Sequence, residues 1–197
     1  DCDGVLIDVT KSYDVTINKT ISYVLKEIAD ITVDTPLTNE ILLKFKSTGG
    51  FNDEIDIAYS GILCFIAAEK LNKNPTEFIS EVLDNADDSG IVYAENFLSK
   101  INVDISDVKA RLGYPSTDKN DLIHSTFDQL FFGPELYSKI FQKKSKFSEK
   151  GFIENDNVIV NSELIEALKE KFNDKIAIVT GRGFNAISSS LKEILNQ

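Results

Sequence analysis

Apolar residues along this chain recur mostly with a helical period. Ile17, Ile21, Val24, Leu25 and Ile28 fall at i, i+4, i+7, i+8 and i+11, one face of an α-helix. Thr35 stands before Pro36 and is pushed out of the helical region, so that helix ends before this point. Leu37 to Phe45 predicts a second helix, closed by Gly49-Gly50. Asn52 reads as an N-cap, with Asp53 and Glu54 suited to the positive end of a long apolar helix that runs to about Leu71. Asn74-Pro75 restarts the chain, with Asn as cap and Pro at the first helical position. Further helices are predicted around 76–84, 91–100, 104–112 and 119–131, the last broken by Gly133-Pro134.

The two ends read differently. Val5-Leu6-Ile7 is a short apolar run ending at Asp8. Asn161-Ser162 caps a helix with Leu164, Ile165, Leu168 and Phe172 on one face, and Asn173-Asp174 turns the chain. Ile176-Ala177-Ile178-Val179 reads as a compact apolar strand, followed by a loop at Thr180-Gly181-Arg182-Gly183. Ile187, Leu191, Ile194 and Leu195 then mark another amphipathic helix. Helix, apolar strand, polar loop, helix is the grammar of a parallel sheet whose functional loops sit at strand C-terminal ends. The expected fold is therefore α/β. It has a Rossmann-like parallel-sheet core from residues 1–11 and 150–197 and an inserted all-α domain over 12–149.

Composition narrows the function classes. With 197 residues, 42% of them hydrophobic and 27% charged, the chain has ordinary globular make-up. The net charge of −11 argues against a bulk nucleic-acid binder, which needs a basic face to neutralise phosphates. The longest apolar run, Ile57 to Ala68, is shorter than the roughly 20 residues that cross a bilayer, so no membrane partner is expected. Cys2 and Cys64 are too few for a disulfide scaffold, and a reducing cytoplasm is the expected location. No Met occurs in the chain.

The chemistry concentrates in Asp1-Cys2-Asp3-Gly4-Val5-Leu6-Ile7-Asp8. Two carboxylates at i and i+2 in extended backbone share a side, and the glycine that follows permits a tight turn. One carboxylate of such a pair can serve as nucleophile and ligand of a hard cation, the other as acid and base on a leaving oxygen. This segment resembles the first motif of the haloacid dehalogenase superfamily, Asp-x-Asp-Gly-Val/Leu-x-x-Asp/Thr. Ile176-Ala177-Ile178-Val179-Thr180-Gly181-Arg182 is similar to that superfamily's second motif, an apolar strand ending in Ser or Thr. The order of first motif, helical insertion and second motif resembles members with a helical type 1 cap. With Gly49-Gly50-Phe51-Asn52-Asp53, the chain looks like the phosphoglycolate-phosphatase-like subgroup.

The resemblance implies roles. Asp1 would be the nucleophile forming an aspartyl-phosphate and would bind Mg²⁺. Asp3 would protonate the leaving alcohol and then activate water, its backbone carbonyl also binding Mg²⁺. The Thr180 hydroxyl and the Gly181 amide would hold phosphoryl oxygens. Dehalogenases lack the second Asp, so Asp3 points to a phosphatase or phosphomutase. The superfamily's third-motif Lys and fourth-motif acidic pair are not among these residues, and the core is expected to be incomplete at both ends.

Other residues are weaker candidates. Arg182 either contacts substrate or is a helix-start side chain. Gly50, Asn52 and Asp53 either line a substrate-specificity loop or simply stop one helix and cap the next. Lys143, Lys144 and Lys146 read as a solvated basic face. The expected activity is Mg²⁺-dependent hydrolysis of phosphate monoesters of small metabolites. The alternatives are a phosphomutase of the β-phosphoglucomutase type and a non-catalytic binding module of the same fold.

Overall fold

The structure is a computed structural model, described here for residues 2–116, 120–173 and 175–191. It comprises two compact units, one taking in the chain up to Val15 and from Gln129 onward, the other spanning Thr16–Asp128. The divisions fall inside two helices, α1 (Tyr13–Ala29) and α7 (Leu122–Phe141), whereas the sequence places them at 11/12 and 149/150.

The second unit is helical. In α1 the residues Ile17, Ile21, Val24 and Leu25 are buried, as their spacing predicts, together with Thr16 and Thr20. Helix α2 (Asn39–Ser47) is capped by Thr38, whose hydroxyl accepts the Ile41 amide at 3.3 Å. Helix α3 (Glu54–Lys70) buries Ile55 and every residue from Ile57 to Ala68, so it is apolar all round and forms the centre of this unit. It packs on α4 (Pro75–Leu83) and α5 (Ile91–Lys100), and α6 (Ser106–Leu112) follows. Asn74 caps α4 through the Glu77 amide at 3.1 Å, with Pro75 at the helix start, as expected. Helix α7 continues past the Gly133-Pro134 break. Gly133 leaves helical geometry at φ 70°, ψ 171°, and the helix resumes to Phe141 beyond the kink.

The first unit holds little regular structure besides helix. Strand β1 (Ile7–Asp8) pairs antiparallel with β2 (Asn157–Val158), and a short 3₁₀ turn, Phe152–Asn155, precedes β2. Helices α8 (Ser162–Phe172) and α9 (Phe184–Ser190) complete it. Cys2, Ile7 and Leu191 form a small buried cluster supported by Leu6, Val9 and Ile187.

This architecture corrects the expected α/β fold. The described residues contain no parallel Rossmann-like sheet, only the two-stranded antiparallel pair. Ile176 to Val179 is not a strand, and Ile176, Ile178 and Val179 are 47%, 39% and 82% exposed. An apolar run becomes an inner parallel strand only when neighbouring strands satisfy its backbone on both sides. Among the described residues no strand flanks this one. Ile194 and Leu195, read as part of the last helix, lie outside the described residues. No helix among the described residues is long and apolar enough to cross a membrane.

Candidate active site

The segment after Asp1 is a tight turn. The Cys2 carbonyl accepts the amides of Leu6 at 2.8 Å and Ile7 at 3.1 Å, while the Gly4 amide donates to the Ile7 carbonyl at 2.8 Å. Gly4 sits at φ 74°, a conformation that side-chain-bearing residues disfavour, so the glycine after the second aspartate serves the turn as the sequence implies. Cys2 is buried in the small apolar cluster, and burial pushes its thiol pKa up, with the nearby Asp3 charge adding to the effect. Asp8 accepts the Thr10 amide at 3.0 Å and the Thr10 hydroxyl at 2.7 Å, a turn-forming role. Asp1 lies outside the described residues.

Asp3 and the Thr180–Arg182 loop are brought together across the chain. The Arg182 guanidinium donates from Nη1 to Asp3 Oδ1 at 2.7 Å. Within the loop, the Arg182 amide donates to the Thr180 hydroxyl at 3.1 Å, a short turn that fixes the hydroxyl at the entry to α9. Gly181 is exposed, and a Cβ there would meet nothing within 4 Å.

Arg182 also engages residues the sequence reading did not single out. Its Nη2 donates to Asp156 Oδ2 and, at 3.1 Å, to the Ser190 hydroxyl. Asp156 is further held by the hydroxyls of Ser12, 2.5 Å from Oδ1, and Ser190, 2.5 Å from Oδ2. The guanidinium lies 5.4 Å from the centre of the Tyr13 ring and 5.7 Å from that of Phe131, and these two rings stack 4.6 Å apart. The Arg182 side chain is 0% exposed and Asp156 3%, whereas Asp3 is 29% exposed. Burial alone would lower the Arg182 pKa. Its hydrogen bond to Asp3, and the charges around it, outweigh burial and raise it, so the guanidinium stays charged. Asp156 stands 26 residues from Arg182, and no spacing rule in a sequence links the two.

Gly50, Asn52 and Asp53 belong to the other unit and are occupied locally. Asp53, not Asn52, caps α3, accepting the Ile55 amide at 2.8 Å. The Asn52 amide donates to the Gly49 carbonyl at 2.9 Å. Gly50 lies against Gly90, and a Cβ on Gly50 would fall 2.6 Å from the Gly90 amide nitrogen. The paired glycines therefore let two backbone segments touch.

Asp3 offers a carboxylate and a carbonyl, the hard oxygen donors that a divalent cation such as Mg²⁺ takes. Among the described residues no group of three or more His, Cys, Asp or Glu side chains gathers to hold a metal. In the same unit, a groove of about 540 Å³ is walled by Gly133, Pro134, Lys139, Lys150, Gly151 and Ser189. None of the sequence-predicted residues lines it.

No protein-family model and no curated protein matches the sequence. Among solved structures, the chain is similar in fold to phosphatase Tt82 from Thermococcus thioreducens, with a TM-score of 0.63 and 20% identity over 98% of this chain and 65% of that one. A structural-genomics target gives a TM-score of 0.61 at 16% identity, over 96% of this chain and 64% of its own. The chain thus spans about two-thirds of the length of these structures. At such identities the likeness shows the fold alone.

Proposed function

We propose that this chain carries phosphatase chemistry of the haloacid dehalogenase type, on phosphate monoesters of small metabolites. The observation that carries the proposal is the 2.7 Å bond by which Arg182 sets the Thr180-Gly181 loop beside Asp3, two segments that the sequence resemblance assigns to one site. The fold shared with a solved phosphatase supports it.

In this reading an Asp1 carboxylate oxygen attacks phosphorus and the bond to the leaving oxygen breaks. Asp3 donates the proton that the departing alkoxide needs. In the second half, Asp3 takes a proton from water as the water oxygen attacks the aspartyl-phosphate. Inorganic phosphate leaves and Asp1 is restored. The Thr180 hydroxyl and the Gly181 amide donate hydrogen bonds to phosphoryl oxygens, where charge builds up in the transition state. Asp1 and the Asp3 carbonyl would hold Mg²⁺, which offsets the repulsion between an anionic nucleophile and an anionic ester. In a chain of net charge −11, that compensation matters for an anionic substrate. The resemblance assigns substrate selection to Asn52 and Asp53, which are exposed in the other unit.

The test is phosphate release from a panel of phosphorylated metabolites with Mg²⁺, for the wild type and Asp1→Asn. Turnover by the wild type and none by a folded Asp1→Asn is the expected result. Equal turnover by both would sink the assignment.

A further inference from the structure

We infer that Arg182 and Asp156 are positioning residues for Asp3, and that Arg182 does not anchor the substrate. The inference rests on the phosphatase reading and assigns it two residues in a defined relation.

The Asp156 side chain is 3% exposed, that of Arg182 0%, and that of Asp3 29%. The cluster has a closed end and an open end. At the closed end, Asp156 is surrounded by donors: Arg182 Nη2, Ser12 Oγ at 2.5 Å and Ser190 Oγ at 2.5 Å. A buried carboxylate needs this pairing, because desolvation penalises any unpaired charge. Asp156 thereby fixes one edge of the guanidinium. The Tyr13 and Phe131 rings, at 5.4 and 5.7 Å, fix it further. The other edge then meets Asp3 Oδ1 at 2.7 Å with little freedom to move. Only Asp3 reaches toward solvent, with Oδ1 held.

Three of the five guanidinium N–H groups are taken by Asp3, Asp156 and Ser190, and the side chain is buried, away from a ligand that enters from solvent. The Nε N–H is likewise buried, without a partner. That geometry suits an orienting group, since the planar fork of Arg fixes direction as well as distance. Proton transfer is sensitive to such placement. A shift of about 1 Å in a reacting group costs on the order of 10²-fold in rate.

The test exploits the leaving group. An alkyl phosphate releases an alkoxide that needs the proton of Asp3, whereas p-nitrophenyl phosphate releases a stable phenolate that needs it little. Steady-state kinetics with Mg²⁺ on both esters, for the wild type, Arg182→Lys and Asp156→Asn, separates the roles. We expect kcat on the alkyl ester to fall roughly 10²-fold, kcat on the nitrophenyl ester less than about tenfold, and KM on both to stay within about twofold. Circular dichroism melts confirm that each variant is folded. Ser190→Ala removes no charge and guards against collapse of the buried pair. It should give the same pattern, with a loss of about tenfold or less on the alkyl ester. A KM rise with kcat retained would mean that Arg182 binds substrate and would overturn the inference. Equal losses on both esters would also overturn it, as a merely structural effect. A wild type inactive on both esters would instead contradict the phosphatase reading and take the inference with it.

Discussion

Helices α3 and α8 carry equally readable apolar patterns, yet α3 buries nearly everything and α8 buries nothing. In α3, Ile55 and the run from Ile57 to Ala68 are buried. In α8, Leu164 and Phe172 are 48% and 47% exposed, and no residue of the helix is buried. Caps do not explain the difference, since Asp53 caps α3 and Asn161 caps α8, each through a side-chain bond of about 2.9 Å or less. The difference lies in what is packed on each. Short connections return α4 and α5 onto α3. Periodicity says which face of a helix is apolar. It does not say whether another element covers that face, and coverage supplies most of the stability of a helix in a protein.

Truncation should expose this contrast first. Leu63→Ala in α3, at a fully buried position, should cost about 2–5 kcal/mol in urea unfolding. Gly90 comes next. It sits at φ 58°, ψ −118°, and a Cβ there would press into the Gly50 carbonyl oxygen. Gly90→Ala should destabilise by roughly 1–3 kcal/mol, read as a lower Tm, and an unchanged Tm would remove the glycine contact from the account.

A smaller effect appears as a pH slope. Asp56 is partly buried beneath Tyr114, whose hydroxyl donates to it, and burial is the main cause raising its pKa above the ordinary 3.8. A carboxyl with a raised folded pKa favours the protonated native state. Its favourable contribution is therefore present at low pH and lost as pH rises through the folded value. Asp56→Asn should be more stable than wild type at neutral pH and indistinguishable below about 3.8, measured as urea midpoints across pH. The smallest effect belongs to α8. Leu164→Ala should stay within about 0.5 kcal/mol of wild type, and a loss as large as that of Leu63→Ala would erase the contrast between the helices.

The same contrast marks what was legible in the sequence. The helical stripes of α1 and α3 and the Asn74-Pro75 start were readable because each signal is local. Ile176 to Val179 misled because strand formation is decided by neighbours at a distance, and its apolar run matches an inner strand equally well without them. At the site, Asp3, Thr180 and Arg182 were visible as motif residues. The partner of Arg182 was not. Asp156 lies in a polar turn, in Glu154-Asn155-Asp156-Asn157, that reads as loop, and its pairing with Arg182 and Ser190 arises only when the chain folds back. Asp53 rather than Asn52 caps α3, a one-residue difference that a run of two good capping residues hides in the sequence.

In the proposed reading, Asp3 supplies the acid and base of a phosphate-ester hydrolysis. The most direct measurement is kcat on an alkyl phosphate with Mg²⁺ for Asp3→Asn, which keeps the shape and the hydrogen bond from Arg182 but cannot carry the proton. A folded Asp3→Asn should lose about 10²–10⁴-fold in kcat. A kcat equal to that of the wild type would contradict it.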